Sequence, residues 1–360
     1  MRGTRGALLG GDLGIAVSGV SIDSRTLNVG EAFFAIRGER HDGHAFLRDA
    51  VGRGAGCLVV DTVPNELPAG VALVLTDDTT QALGRLGAWN RGRFTIPVAA
   101  VTGSNGKTTT KELMASVLGA LGPVLKPEAS FNNQWGLPLT LLKLTAEHRA
   151  AALELGTNRP GEIAALAALA RPTVSAVTTV SSAHTEFLGS LDGIQHEKSD
   201  LVRAIPPDGA VVLNADDPRV LAMQARSRAR VWTYSAEGPA HVRSSGFIED
   251  GPAGLGFTLE LPDGRRPVRL HFAGRHNLTN ALAAAGVGVV LGLGIDAIVR
   301  GLEAARPAKG RCVWRTAGSL ALLDDTYNAN PVSVRAALQT LAASAGPRRR
   351  VVVQIGRAHV

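Results

Sequence analysis

The chain has 360 residues, 45% hydrophobic and 19% charged, with a formal net charge of +7; this excludes a disordered chain and leaves room for two or three domains with cores of their own. Two distant cysteines exclude a disulfide framework, and neither the N-terminus nor the longest apolar tract (residues 281–295, with four glycines) reads as a signal peptide or a membrane span, so a cytoplasmic protein without membrane insertion is expected. The positive charge does not read as nucleic-acid binding, because the basic residues are scattered and few aromatics lie among them.

In chain order, residues 1–92 alternate short strands and helices and predict a small α/β domain. Strands are expected at 57–61 and 72–76, with helices up to residue 50 and over 77–91. Ser24, Arg25 and the turn Asp42-Gly43-His44 read either as ordinary turns and caps or as holders of a polar ligand.

The stretch from Ile96 to Leu121 organises the rest. An apolar run, 96–101, predicts a buried strand. It feeds Thr102-Gly103-Ser104-Asn105-Gly106-Lys107-Thr108-Thr109, and then Leu113, Met114, Val117, Leu118 and Leu121 recur at helical spacing. A strand, glycine turn and helix in that order leave unpaired N–H groups and a positive helix end facing an anion. Lys107 is expected on the outer phosphates of a nucleotide and the Thr108 hydroxyl on Mg²⁺. The usual G-x-x-x-x-G-K-[ST] spelling is not met, since Val101 stands at the first glycine position.

Beyond the helix, Asn132 and Asn133 lie in a polar loop, 130–138, and read either as turn formers or as substrate contacts. A second strand at 151–155 delivers Glu154 to its C-terminal end, where ligands bind in doubly wound sheets. There it can serve as a further Mg²⁺ ligand. A third strand at 174–180 precedes His184, and Lys198 follows fourteen residues later. Only six of the 38 Lys and Arg residues are lysine, so a lysine here draws notice. It reads either as a cationic clamp or as an amine that takes up CO₂ to become a carbamate ligand.

Residues 230–234, 256–261 and 268–272 predict a more antiparallel sheet. Asn277 and Asn280 stand one turn apart at the start of an alanine–glycine helix, either as caps or as partners of a base. Residues 306–311 read as a linker. The strand at 319–323 runs into Asp324-Asp325-Thr326-Tyr327-Asn328-Ala329-Asn330-Pro331, a ligand-facing loop, then a helix over 332–343 and a last strand at 351–355. One strand–helix–strand cannot cover both faces of a sheet, so this last domain reads as cut short.

With these pieces in place the chain resembles the Mur ligase family of ATP-dependent amide-forming enzymes. The resemblance rests on residues 102–109, 130–138 and 324–331, and covers residues 20–356. Within the family, 324–331 resembles the members that join D-alanyl-D-alanine to UDP-N-acetylmuramoyl-tripeptide. The resemblance implies an α/β fold of three domains: a UDP-sugar-binding domain at 1–92, a central ATP-binding parallel-sheet domain at 93–308, and an incomplete Rossmann-like domain at 309–360. It implies ATP and two Mg²⁺, with Thr108 and Glu154 on one ion, His184 and Lys198 on the other, and Lys198 at a carbamylated position. Gly103, Asn105, Gly106, Lys107, Thr108 and Thr109 would hold the phosphates. Asn277 and Asn280 would lie beside the adenine, and Arg311 and Asp324 would touch the nucleotide from the C-terminal domain. Ser24, Arg25, Asp42, Gly43, Asn132, Asn133, Tyr327 and Asn328 would contact substrates. A monomer acting in peptidoglycan synthesis is expected. Residues 354–360 depart from the continuation the family would have. Rival readings are another ligase of this type, such as the third-amino-acid-adding enzyme or a folylpolyglutamate synthetase, a nucleotide-binding regulator without ligase chemistry, and a nucleic-acid-binding ATPase.

Overall fold

The computed structural model describes residues 3–12, 14–66, 70–128, 131–181, 188–344 and 349–354. The chain forms two compact units. The first takes Met1–Thr95 with Phe131–Ala146 and Ala168–Ala170; the second takes Ile96–Ser130, Glu147–Ala167 and Arg171–Val360.

In the first unit five strands, β1 (Ala7–Gly10), β2 (Val20–Ser21), β3 (Ala32–Phe34), β4 (Cys57–Val60) and β5 (Ala72–Leu75), pair in the order β1-β5-β4-β3-β2. Only β1 runs antiparallel to its neighbour. Side chains alternate across a strand, so Phe33, Leu58, Val60 and Leu73 pack on one face with Leu47 and Ala50 of α1 (Leu47–Gly52). Phe34, Val59 and Val74 pack on the other with Ala82 and Leu83 of α2 (Thr79–Arg91). Helix α2 begins at Thr79 because the Asp78 carboxylate accepts from Gln81 N and caps it.

The second unit is built on nine strands in the order β14-β13-β12-β11-β10-β9-β6-β8-β7. Within it β6 (Val98–Thr102) is wholly buried and followed by α3 (Lys107–Leu118). β7 (Val124–Leu125) comes next. The helix α4 (Gly136–Leu142) belongs to the first unit, where Asn90 of α2 donates to the carbonyls of Leu141 and Leu144. β8 (Ala150–Glu154) and β9 (Val174–Val177), on either side of α5 (Glu162–Ala170), flank β6 in parallel. Strands buried on both faces read as continuous apolar runs, which is why these were visible in the sequence.

The helix α6 (Leu191–Ala204) covers one face with Ile194 and Val202; β10 (Ala210–Asn214) and the short α7 (Pro218–Ala222) follow. The sheet then departs from expectation. β11 (Arg230–Ser235) pairs in parallel with β10 and with β12 (Val242–Glu249), so residues 230–234 extend the parallel core and do not open an antiparallel sheet. β12 itself escaped the sequence reading because its run Val242-Arg243-Ser244-Ser245-Gly246 is polar and glycine-broken. The antiparallel part is confined to β12, β13 (Leu255–Leu261) and β14 (Gly264–Leu270). On the other face α8 (His276–Val290) packs against α3, and its small residues permit close approach: a Cβ on Gly288 would lie 2.8 Å from Val117 Cγ1. α9 (Ile295–Ala304) packs beside it.

The segment from Gly310 carries a hairpin of β15 (Val313–Ala317) and β16 (Leu320–Asp324), turning at Gly318 with φ +59°. Leu320 and Leu322 on it are exposed. α10 (Pro331–Ala343) follows, capped by Asn330 and Ser333 in a reciprocal box. The strand expected at 351–355 is not formed over 351–354, since no neighbouring strand among the described residues offers it a ladder; Ile355 lies outside the described residues.

Candidate active site

The turn after β6 can be made only by glycine at two points. Gly103 has φ +153° and Gly106 φ +83°. A Cβ on Gly103 would stand 1.8 Å from Thr178 Oγ1, and one on Gly106 2.3 Å from Asn280 Oδ1. Gly106 is the N-cap of α3 and supplies no side chain to its first N–H groups. Those donors and the positive helix end are therefore available to an anion. The loop is tied to the end of β9: Ser104 N donates to Thr179 O (2.8 Å), Ser181 N to Ser104 Oγ (2.9 Å), and Asn105 Nδ2 to Ser181 Oγ (3.1 Å). We expect Gly106→Ala to abolish nucleotide binding and to lower the melting temperature. An unfavourable left-handed alanine costs about 1–2 kcal/mol before the Asn280 clash is counted. Calorimetric titration and thermal melting of the variant check this.

Lys107 Nζ folds back to donate to Gly103 O at 2.8 Å. Burial lowers its pKa below the ordinary lysine value; Glu154 opposes that shift and Arg311 adds to it. Thr108 Oγ1 donates to Glu154 Oε2 at 2.9 Å, and Glu154 is 1% exposed. The register explains the meeting: Val101 of β6 lies opposite Glu154 of β8, so the carboxylate emerges beside the turn that β6 feeds. A buried hydroxyl and carboxylate in contact are the hard oxygen donors that suit Mg²⁺.

Lys198 projects from α6 and is 1% exposed. Its pKa falls to about 7, first through burial and then through the ammonium of Lys107, with Glu197 pulling the other way. Glu197 is itself buried and accepts from Gly161 N (2.7 Å), Ile163 N (2.8 Å) and Thr157 Oγ1 (3.2 Å). It thereby braces the Lys198 helix against the segment that leaves Glu154.

Asn277 and Asn280 are buried and joined: Asn280 Nδ2 donates to Asn277 Oδ1 (2.8 Å), and Asn280 Oδ1 accepts from Thr110 Oγ1 (3.2 Å). Their amides shape the floor beneath Gly106. Arg311 Nη2 lies 3.4 Å from Thr108 Oγ1, its guanidinium 4.0 Å from the Tyr327 ring centroid, and its Nε is buried without a hydrogen-bond partner. Asp324 accepts from Thr326 Oγ1 (2.7 Å) and Arg315 Nε (3.2 Å). Tyr327 and Asn328 are exposed.

The second unit thus brings together Gly103, Asn105, Gly106, Lys107, Thr108, Glu154, Asn280 and Arg311, with Thr109 following on the first turn of α3 and the charge of Lys107 felt at Lys198. His184 lies outside the described residues, as does Ser130. Asn277, Asp324, Tyr327 and Asn328 also belong to the second unit, and the other candidates to the first. Ser24 is buried, and Arg25 is exposed and paired with Asp23. Asp42 caps the turn 43–46, binds His44 Nδ1 (2.6 Å) and pairs with Arg37. Gly43 admits no Cβ, which would lie 2.6 Å from Ile36 N. Asn133 Oδ1 accepts from Trp135 N and Gly136 N, and Asn132 lies beside it. Sequence reasoning missed Thr178, Thr179, Ser181, Glu197 and Asn330; the hydroxyl run after β9 was a signal, since β9 neighbours β6 and ends beside its turn.

A glycine-floored phosphate cradle at the end of a parallel strand, with a carboxylate and a buried lysine beside it, defines a nucleotide-dependent phosphoryl-transfer enzyme. The family model described as Mur ligase middle domain matches residues 101–288, and that described as Mur ligase family, catalytic domain, matches residues 16–89. The chain belongs to the Mur ligase family, whose members are ATP-dependent amide-bond-forming ligases. It is 39% identical to the UDP-N-acetylmuramoyl-tripeptide–D-alanyl-D-alanine ligase of Escherichia coli over 96% of this chain and 76% of that protein. It is 32% identical to the ligase of the same name from Bacillus subtilis, over 94% and 73%. Among solved structures, MurF from Acinetobacter baumannii superposes with TM-score 0.86 at 37% identity, over 92% of this chain and 72% of that one. The MurF ligase of Thermotoga maritima in complex with ADP gives 0.80 at 27%, over 90% and 74%. No helix among the described residues is long and apolar enough to cross a membrane.

Proposed function

We propose that this protein joins D-alanyl-D-alanine to the terminal carboxylate of UDP-N-acetylmuramoyl-tripeptide at the expense of ATP. The carrying observation is that the likeness to the E. coli ligase of that name runs through 96% of the chain and so through both compact units. The tripeptide carboxylate attacks the γ-phosphorus of ATP, ADP leaves, and the carboxylate becomes an acyl phosphate. The amine of the dipeptide then adds to the acyl carbon, loses a proton and expels phosphate. Lys107 and the first N–H groups of α3 face the charge of the transferring group.

Mg²⁺, held by Thr108 and Glu154, would supply further charge compensation, with a second ion on His184 and a carbamate of Lys198. An amine whose pKa is near 7 is substantially neutral at physiological pH, which is what CO₂ uptake needs; the bare ammonium is the alternative. Residues 1–92, with Ser24, Arg25, Asp42 and Gly43, would take the UDP-sugar, 93–308 the nucleotide, and 309–360, with Tyr327 and Asn328, the dipeptide side. Asn132 and Asn133 would lie near the peptide. We take the protein to act as a cytoplasmic monomer in peptidoglycan precursor synthesis.

The test is phosphate release from Mg-ATP with UDP-N-acetylmuramoyl-tripeptide, with and without D-alanyl-D-alanine. Release that requires both, with pentapeptide formed, is expected. Release with a different amine acceptor alone would replace this reading by another ligase of the family.

A further inference from the structure

The link between Asn330 and the phosphate loop is assigned no role by the reaction as described. Asn330 Nδ2 donates to Asn105 Oδ1 at 2.7 Å, across 225 residues of sequence. The same side chain is the N-cap of α10: its Oδ1 accepts from Ser333 N at 2.9 Å, and its own N–H donates to Ser333 Oγ at 3.0 Å. A cap requires an acceptor, so the cap fixes which end of the amide faces outward, and that end is the NH₂. Asn105 must answer with its oxygen, which directs its own NH₂ to Ser181 Oγ. One polarity therefore runs from the start of α10 through the phosphate loop to the end of β9. The Asn105 backbone is held in the same place, with its N–H on Thr179 Oγ1 (3.2 Å) and its carbonyl accepting from Thr178 Oγ1. Nearby, Arg311 reaches Thr108 Oγ1 from the same C-terminal segment.

We infer that Asn330 is a positioning residue for the phosphate loop, so that nucleotide affinity depends on the segment 324–343 as well as on the loop itself. This rests on the reading of that loop as the ATP site. Asn105 is the only residue of the loop among those described that receives a side-chain amide from α10's cap, and its orientation is what Asn330 sets.

Asn330→Ser tests it, because serine caps a helix about as well as asparagine but has no amide to reach Asn105. Ser333→Ala is the complement: it weakens the capping box and leaves the Asn330–Asn105 bond. The probe is a non-hydrolysable ATP analogue with Mg²⁺, titrated calorimetrically into the full chain. Loss of one hydrogen bond should weaken binding about fivefold in Asn330→Ser, with the KM for ATP rising in step and kcat at saturating ATP held within about twofold. Ser333→Ala should bind like the unaltered protein. Equal affinity of Asn330→Ser and the unaltered chain overturns the inference, as does an equal loss in Ser333→Ala, which would trace the effect to helix capping. Failure of the unaltered protein to bind the analogue would instead overturn the ATP-site reading beneath it.

Discussion

Lys107→Ala should reduce phosphate release from ATP by about 10³-fold or more, with the melting temperature nearly unchanged. The lysine is the one ammonium that the loop itself places on the nucleotide side, and among the described residues it donates to the Gly103 and Ser104 carbonyls, at 2.8 and 3.5 Å. Those carbonyls can turn to water when the side chain is removed, so the fold loses little. The transferring phosphoryl group, by contrast, loses a full charge at the moment its own charge is spread over three oxygens. Single-turnover assays with radiolabelled ATP measure this. Retained turnover would sink the assignment of the loop.

Replacing Lys198 should cost about 10²-fold in kcat or more, and the pattern of rescue identifies its chemistry. Lys198→Ala removes both an ammonium and a carbamate; Lys198→Arg keeps a cation and cannot take up CO₂. If the carbamate is the working form, short carboxylates such as acetate should partly restore Lys198→Ala, and Lys198→Arg should stay inactive. Activity in Lys198→Arg without rescue of Lys198→Ala would favour the clamp.

The pH dependence follows in sign. With a pKa near 7, the amine is neutral above that point, so carbamate-dependent activity in CO₂-limited buffer should rise as pH increases through 7. Stability moves the same way: the unfolded lysine keeps its proton to about pH 10, so between these values the unfolded state binds more protons and stability increases with pH.

Much of this site was legible in the sequence because its parts obey local rules. Residues 96–121 announce themselves by an apolar run, two glycines and a 3.6-residue period, and Glu154 by its place at a strand end. The parallel strands β6, β8 and β9 were visible as apolar runs for the same reason they are buried. What stayed hidden was set by pairing across long sequence distances. β11 was misassigned because the direction of its neighbours, β10 and the polar β12, is invisible locally. β15 was missed although Gly318-Ser319 between two short strands is a hairpin signal. Asn330 reads only as part of the loop 324–331, and nothing local says that its amide meets Asn105.

The hairpin of β15 and β16 has a consequence of its own. Its ladder joins no other strand of the described chain, and Leu320 and Leu322 stand in solvent, whereas β6 is enclosed by neighbours on both edges and helices on both faces. A segment with one ladder and little burial opens at a free energy far below that of the whole. Backbone amides in 313–324 should therefore trade hydrogen for deuterium through brief local excursions, while those of 98–102 wait for the entire unit to come apart. The protein carries two tiers of stability, and the residues that reach the phosphate loop from the C-terminal side, Arg311 and Asn330, flank the lower one.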